Sequence, residues 1–127
     1  MKITSFNPQI ITKDAEAVVR LFEALGFERR HIKEDIGDLS VTGIRMKDEN
    51  GFYLDISESD QLPVDCIEAI RMNVDNFDEA YEFLTDRGFT NPRGGQTVDT
   101  KTNKSCMMKS PSGFAFDLCQ HITEETK

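Results

Sequence analysis

The chain lacks most of what would place it outside the cytoplasm. No apolar run approaches the roughly 20 residues a membrane span requires, which argues against a transmembrane segment. Met1-Lys2-Ile3-Thr4 opens without the apolar core of a signal peptide. Cysteine is scarce: the three residues, Cys66, Cys106 and Cys119, are odd in number and have no metal-binding spacing, so reduced thiols in a cytoplasmic protein are expected. Positive charge is also in deficit, with 15 Lys and Arg against 23 Asp and Glu and a net charge of −8. An acidic surface releases no counterions from nucleic acid or anionic membrane, so neither is expected as a partner. The ordinary reading of that acidity is solubility.

What the chain does contain is a repeat. A shift of 62 positions lays the sequence on itself without a gap. Asp14-Ala15-Glu16 falls on Asn76-Phe77-Asp78, Leu25-Gly26-Phe27 on Arg87-Gly88-Phe89, and Met46-Lys47 on Met108-Lys109. Gly51-Phe52-Tyr53-Leu54-Asp55-Ile56 falls on Gly113-Phe114-Ala115-Phe116-Asp117-Leu118. A constant offset across helix, turn and strand signals implies one duplicated supersecondary unit. The 127 residues are long enough for one domain that buries about two-thirds of its unfolded surface. Repeats over 1–57 and 66–122, joined by a polar, Pro63-bearing linker over 58–65, are the expected organisation.

Within the first copy, Pro8 to Thr12 reads as a strand and Asp14 as a helix N-cap. Ala15, Val18, Val19 and Phe22 form one apolar helical face, and Gly26 stops the helix at the position that favours positive φ. Phe27 to Lys33, Leu39 to Lys47 and Phe52 to Ser57 read as strands, with Asp48-Glu49-Asn50-Gly51 as a hairpin turn. The second copy repeats this order. Glu68 to Val74 is a strand, Asn76 and Glu79 form a capping box, and Phe77, Ala80, Tyr81 and Leu84 make the helical face. Gly88 ends that helix. Arg93-Gly94-Gly95-Gln96 is a turn that lacks the strand-to-helix context of a phosphate loop. Val98 to Asn103, Lys104 to Lys109 and Phe114 to Gln120 follow as strands, and the tail from Thr123 should fray. The pattern is βαβββ, twice.

Strand alternation separates a helix-facing side from an opposite, pocket-lining side. Phe52, Leu54 and Ile56 should pack on the first helix, leaving Tyr53, Asp55 and Ser57 opposite. Phe114, Phe116 and Leu118 leave Ala115, Asp117 and Cys119. Ile70, Met72 and Val74 leave Ala69, Arg71 and Asn73, and the same logic gives Asn7, Gln9 and Ile11. The candidate ligand-binding set is therefore Asn7, Gln9, Tyr53, Asp55, Ala69, Arg71, Asn73, Asp117 and Cys119. It is polar, mixed in charge and contains one aromatic ring, which suits a small polar or aromatic ligand. Cys119 reads as a small buried filler, since no base is evident to lower its pKa. His121 and His31 read as solvent-facing.

Two tandem βαβββ units with helix ends Leu25-Gly26-Phe27 and Arg87-Gly88-Phe89 resemble the vicinal oxygen chelate superfamily. That superfamily includes glyoxalase I, extradiol dioxygenases, fosfomycin-resistance proteins and bleomycin-binding proteins. The hairpin Lys109-Ser110-Pro111-Ser112-Gly113-Phe114 running into Phe116-Asp117-Leu118 carries the likeness furthest. The resemblance implies an α+β fold in which the two modules form a cup-shaped mixed sheet with the helices outside. It also implies a divalent metal held by first-strand histidines and last-strand glutamates. Those positions are Asn7 and Ala69, and Asp55 and Asp117, in this chain. Alanine coordinates nothing, asparagine offers a weak carbonyl, and aspartate is one methylene short of glutamate. Arg71, two residues beyond Ala69, either neutralises Asp55 or Asp117 or reaches to solvent.

Three functions are therefore in contention. The first is a small-molecule-binding protein of the glyoxalase and bleomycin-resistance type, without a catalytic metal and, as the resemblance implies, a homodimer. The second is a divalent-metal-dependent lyase, isomerase or transferase with Asp55 and Asp117 as residual, weak metal ligands. The third is a metal-free enzyme with Asp55 or Asp117 as general base.

Overall fold

Each helix begins where side-chain oxygens meet backbone N–H groups that have no partner within the helix. In the computed structural model, which describes residues 1–36, 41–60, 62, 65–100 and 102–121, Asp14 caps helix α1 (Ala15–Ala24) by accepting from the Ala17 N–H at 3.3 Å. Asn76 caps helix α2 (Phe77–Thr85) by accepting from the Glu79 N–H at 3.1 Å. The Glu79 side chain meets the Asn76 side-chain amide at 3.5 Å and the Met1 ammonium group, so of the expected capping box the Asn76-to-Glu79 N–H bond forms and the reciprocal bond goes to the Asn76 side chain instead of its backbone. A second clamp comes from each repeat's last strand. Glu58 accepts from the Ala15 N–H at 2.9 Å, and Gln120 accepts from the Phe77 N–H at 2.7 Å. These pairs are themselves related by the 62-residue shift.

Both helices end the same way. The Gly26 N–H donates to Glu23 O and the Phe27 N–H to Phe22 O, while the Gly88 N–H donates to Thr85 O and the Phe89 N–H to Leu84 O. This is the two-bond termination that needs a left-handed residue, and Gly26 and Gly88 supply φ of 104° and 91°. Phe22 and Phe27 close the first of these turns edge-on, with ring centroids 5.5 Å apart.

The strands are β1 (Ile3–Thr12), β2 (Glu28–Ile36), β3 (Val41–Lys47), β4 (Tyr53–Glu58), β5 (Cys66–Val74), β6 (Val98–Asp99), β7 (Asn103–Lys109) and β8 (Ala115–His121). By contact the chain divides into Asn7–Glu68 and a second unit made of Met1–Phe6 with the chain from Ala69 onward. In the first unit the order is β2-β3-β4-β1, and in the second it is β6-β7-β8-β5. Both orders are the same when read within the repeat. The first and last strands pair parallel, and the remaining pairs are antiparallel, so each sheet is mixed. The fold is α+β, built from two βαβββ modules.

Packing follows the alternation. Ala15 and Val19 of α1 bury against Ile44, Met46, Leu54 and Ile56, with Ile10, Val18, Phe22 and Phe27 around them. In the second unit Phe77, Ala80 and Leu84 bury with Met72, Val74, Cys106, Met108 and Leu118, and Tyr81, Phe89 and Phe116 pack around them. Each full burial of such an aliphatic side chain contributes about 1.5–3 kcal/mol.

Some boundaries differ from the sequence expectation. β1 begins at Ile3 rather than Pro8, because Lys2 exchanges backbone and side-chain bonds with Asp75 and Phe6 lies edge-on to Phe116 at 6.4 Å. The strand expected over Val98 to Asn103 is confined to Val98–Asp99. Thr100 turns the chain there, its N–H donating to Asn103 O at 2.8 Å. Phe52 was expected on the helix-facing side. It precedes β4, in the turn closed by Asp48, and is 64% exposed. Glu58, placed in the linker by composition, ends β4 opposite Thr12. Leu39, Ser40 and the tail from Thr123 lie outside the described residues.

The helix-ending glycines are equivalent in the repeat but not in surroundings. A Cβ at Gly88 would sit 2.9 Å from Pro111 Cγ, whereas one at Gly26 meets nothing within 4 Å. Gly26→Ala should therefore cost about 1–2 kcal/mol for the left-handed backbone alone. Gly88→Ala should cost more, and Pro111→Ala in that background should recover only the excess. Urea denaturation of the variants checks this; equal losses at the two glycines would mean that Pro111 yields freely.

Candidate functional site

In the first unit the sheet face opposite α1 carries the side chains that alternate with the core. Leu54 and Ile56 point to the helix, so Tyr53, Asp55 and Ser57 point away from it. Asn7 and Gln9 of β1 lie on the same side, and parallel pairing puts Gln9 in register with Asp55. Asp55 is 6% exposed, Asn7 6% and Gln9 3%. Buried polar groups must be paired. The Asn7 side-chain amide donates to Asp55 Oδ2 at 2.7 Å and to Pro8 O at 2.9 Å. Gln9 Nε2 donates to Ser57 Oγ at 3.0 Å.

Arg45, not among the residues expected from the first and last strands, joins this group. It lies on β3 between the buried Ile44 and Met46 and in register with Asp55. Its Nη1 is 3.6 Å from Asp55 Oδ2, and its Nη2 donates to Asn7 Oδ1 at 3.4 Å. The guanidinium also lies 4.2 Å from the centroid of the Tyr53 ring, with Lys47 Nζ at 5.2 Å from the same centroid. Asn7, Arg45, Tyr53 and Asp55 thus form one connected network. The alternation of Ile44 and Met46 on the third strand is the sequence signal that marks Arg45.

The second unit presents a different set on the matching positions. Arg71 is in register with Asp117 and Asn73 with Cys119 on the neighbouring parallel strands β5 and β8. Arg71 Nε donates to Asn73 Oδ1 at 3.3 Å. Cys119 is buried and its thiol donates to Asp117 Oδ1 at 3.4 Å. Ala69 is buried and carries no polar atom. Met107 stands opposite Asp117 where Arg45 stands opposite Asp55. His121 is exposed at the end of β8, and the His31 side chain lies outside the described residues.

The donor set does not match a resident catalytic metal. Such an ion needs about three protein ligands with free lone pairs. Asn7 turns its amide N–H, not its carbonyl, to Asp55, and Arg45 turns a cation to the same carboxylate oxygen. Among the described residues no group of three or more His, Cys, Asp or Glu side chains is arranged to hold a metal ion.

No protein-family model and no curated protein sequence matches the chain. Solved structures do match. A variant of Streptomyces coelicolor methylmalonyl-CoA epimerase in complex with 2-nitronate-propionyl-CoA superposes with a TM-score of 0.68 at 15% identity, covering 96% of this chain and 100% of that one. Methylmalonyl-CoA epimerase from Mycobacterium tuberculosis gives a TM-score of 0.69 at 10% identity, covering 97% and 91%. A glyoxalase/bleomycin resistance protein/dioxygenase superfamily member from Vibrio splendidus gives 0.61 at 18% identity, covering 95% and 100%. The chain has the vicinal oxygen chelate fold.

Thiol chemistry is confined by burial. Burial, and secondarily the charge of Asp117, push the Cys106 thiol up to about 12, against a smaller opposing effect of Lys104. Cys119 is also buried, whereas Cys66 is exposed. At about pH 8 a thiol-specific dye should therefore label one cysteine per native chain rapidly, Cys66, because nucleophilic attack needs an accessible thiolate. All three should react once the chain is unfolded. A second rapid equivalent in the native protein would contradict the burial of Cys106 and Cys119.

Proposed function

We propose that this protein captures a small polar or aromatic organic molecule on its polar sheet face, without a catalytic metal. The observation that supports this most directly is the Asn7–Asp55–Arg45 network. It occupies positions to which the family resemblance would assign a histidine and a carboxylate ligand, and it neutralises the carboxylate from within the chain. A half-exposed ring, Tyr53, at 37%, and polar amides beside it provide the usual ingredients of a ligand site. Asn7, Gln9, Tyr53 and Asp55 are the proposed contact residues in the first unit, with Ala69, Arg71, Asn73, Asp117 and Cys119 at the matching positions of the second.

The alternative is a divalent-metal-dependent lyase, isomerase or transferase, and the likeness to methylmalonyl-CoA epimerases favours it. Metal content separates the two readings. Purified protein would be incubated with Mg²⁺, Mn²⁺, Fe²⁺, Ni²⁺ and Zn²⁺, freed of excess, and measured by elemental mass spectrometry. The binding-protein reading expects far less than one metal per chain. A stoichiometric metal that disappears in the Asp55→Ala, Asp117→Ala double variant would overturn it.

The same reading takes the protein as a cytoplasmic homodimer. Sedimentation equilibrium should return the mass of two chains; a single-chain mass at micromolar concentration would remove the dimer from the proposal.

A further inference from the structure

Positive charge is scarce in this chain, yet one cation on the polar face of the first unit stands without a counter-ion. Lys47 is half-buried on β3, and its Nζ lies 5.2 Å from the centroid of the Tyr53 ring. Among the described residues no carboxylate lies within ion-pair distance of it. Asp55 is met by Arg45 at 3.6 Å, and Glu28, opposite Lys47 on β2, is met by Arg30 at 3.5 Å. The Tyr53 ring attracts the ammonium group but carries no net charge, and it leaves N–H donors of the ammonium unused. Lys104, the other half-buried lysine among the described residues, has Asp78 at 3.2 Å, while Lys2, Lys13 and Lys109 are exposed to water. The 62-residue shift maps Lys47 onto Lys109, Tyr53 onto Ala115 and Arg45 onto Met107. The matching positions of the second unit therefore carry neither ring nor guanidinium.

Building on the proposed capture of a small molecule, we infer that Lys47 selects an organic anion, a monocarboxylate held beside Tyr53. The ammonium group supplies both the opposite charge and the donors a carboxylate accepts from. One unmatched cation calls for one negative charge, and a dianion would bring a second that none of these groups offsets. Solvent already reaches the place: Tyr53 is 37% exposed and the Arg45 side chain 24%. The exposed part of the ring suits a planar, apolar remainder of the ligand. Elsewhere the net charge of −8 repels an anion, so discrimination rests on this position. Aromatic carboxylates are the simplest members of the class.

Benzoate and benzamide share a ring and a shape and differ in charge, so they serve as the probes. Each is titrated at low salt into ¹⁵N-labelled full-length protein while the backbone amides of Lys47 and Tyr53 are followed. Benzoate should shift both saturably and bind at least about tenfold more tightly than benzamide, because a partly buried charge pair is weakly screened. Raising NaCl to about 0.5 M should narrow that margin. Lys47→Gln should abolish the preference, whereas Lys109→Gln, at the equivalent exposed position, should retain it. Equal affinities of the two probes for the wild-type chain would overturn the inference and leave small-molecule capture standing. A preference that survives in Lys47→Gln would do the same. So would benzoate shifts spread evenly over Lys2, Lys13 and Lys109, which mark a diffuse effect of charge. If neither probe moves Lys47 or Tyr53, the inference fails. Saturable shifts elsewhere on the face would then still support capture, whereas none anywhere would count against both. The wild-type comparison decides even if Lys47→Gln does not fold.

Discussion

The parallel pairing of first and last strand within each repeat is the constraint on which the rest of the structure depends. Parallel neighbours cannot be joined by a tight turn, so a helix and an antiparallel excursion must be completed before the chain returns. The return is secured twice. Backbone pairing aligns Gln9 with Asp55 and Arg71 with Asp117. The end of the last strand then clamps the start of the helix, through Glu58 in one repeat and Gln120 in the other. Because pleating alternates side chains, this one alignment decides which residues face the helix and which face away. The polar network at Asp55 follows from register before any ligand is considered.

That network also shows how charge is handled where water is scarce. A carboxylate at 6% exposure keeps its place because a guanidinium and an amide both point at it, and desolvation is met by directed donors. The arginine in turn is steadied by the tyrosine ring. In the other repeat the corresponding residues are methionine and alanine, at Met107 and Ala115, and the carboxylate of Asp117 has a thiol beside it. The repeats share a frame and differ in the electrostatics they present.

Much of this frame was legible in the sequence. Gly26 and Gly88 announced the helix ends because only a residue without a Cβ adopts that backbone cheaply. Asp14 and Asn76 announced the starts, and Leu54 with Ile56 gave the orientation of β4. The failures have physical causes. Ile3 to Ser5 extend β1 behind Lys2, whose long-range bonds to Asp75 no local pattern encodes. Thr100 looked extended by composition, but its N–H is bonded to Asn103 O. Phe52 read as core from its apolar character, although the Asp48 side chain holds its N–H in the hairpin at 2.8 Å. At the polar face, the side on which each residue lies was visible in the alternation, whereas the register of the strands, the hydrogen-bond direction of Asn7 and with it the pairing of Asp55 depend on tertiary placement.

The shared turn bonds and clamps use backbone atoms and a few side chains at element ends. None of them draws on the polar face. Gly51 and Gly113 donate to Asp48 O and Ser110 O in equivalent hairpins, while the strands that follow carry tyrosine in one case and alanine in the other. Frame and face are therefore separable: one duplicated scaffold carries different side chains at matching positions of its two polar faces. Such a scaffold retains its shape at 10% identity, so each strand face can be substituted without disturbing the bonds that hold the helices to the sheet.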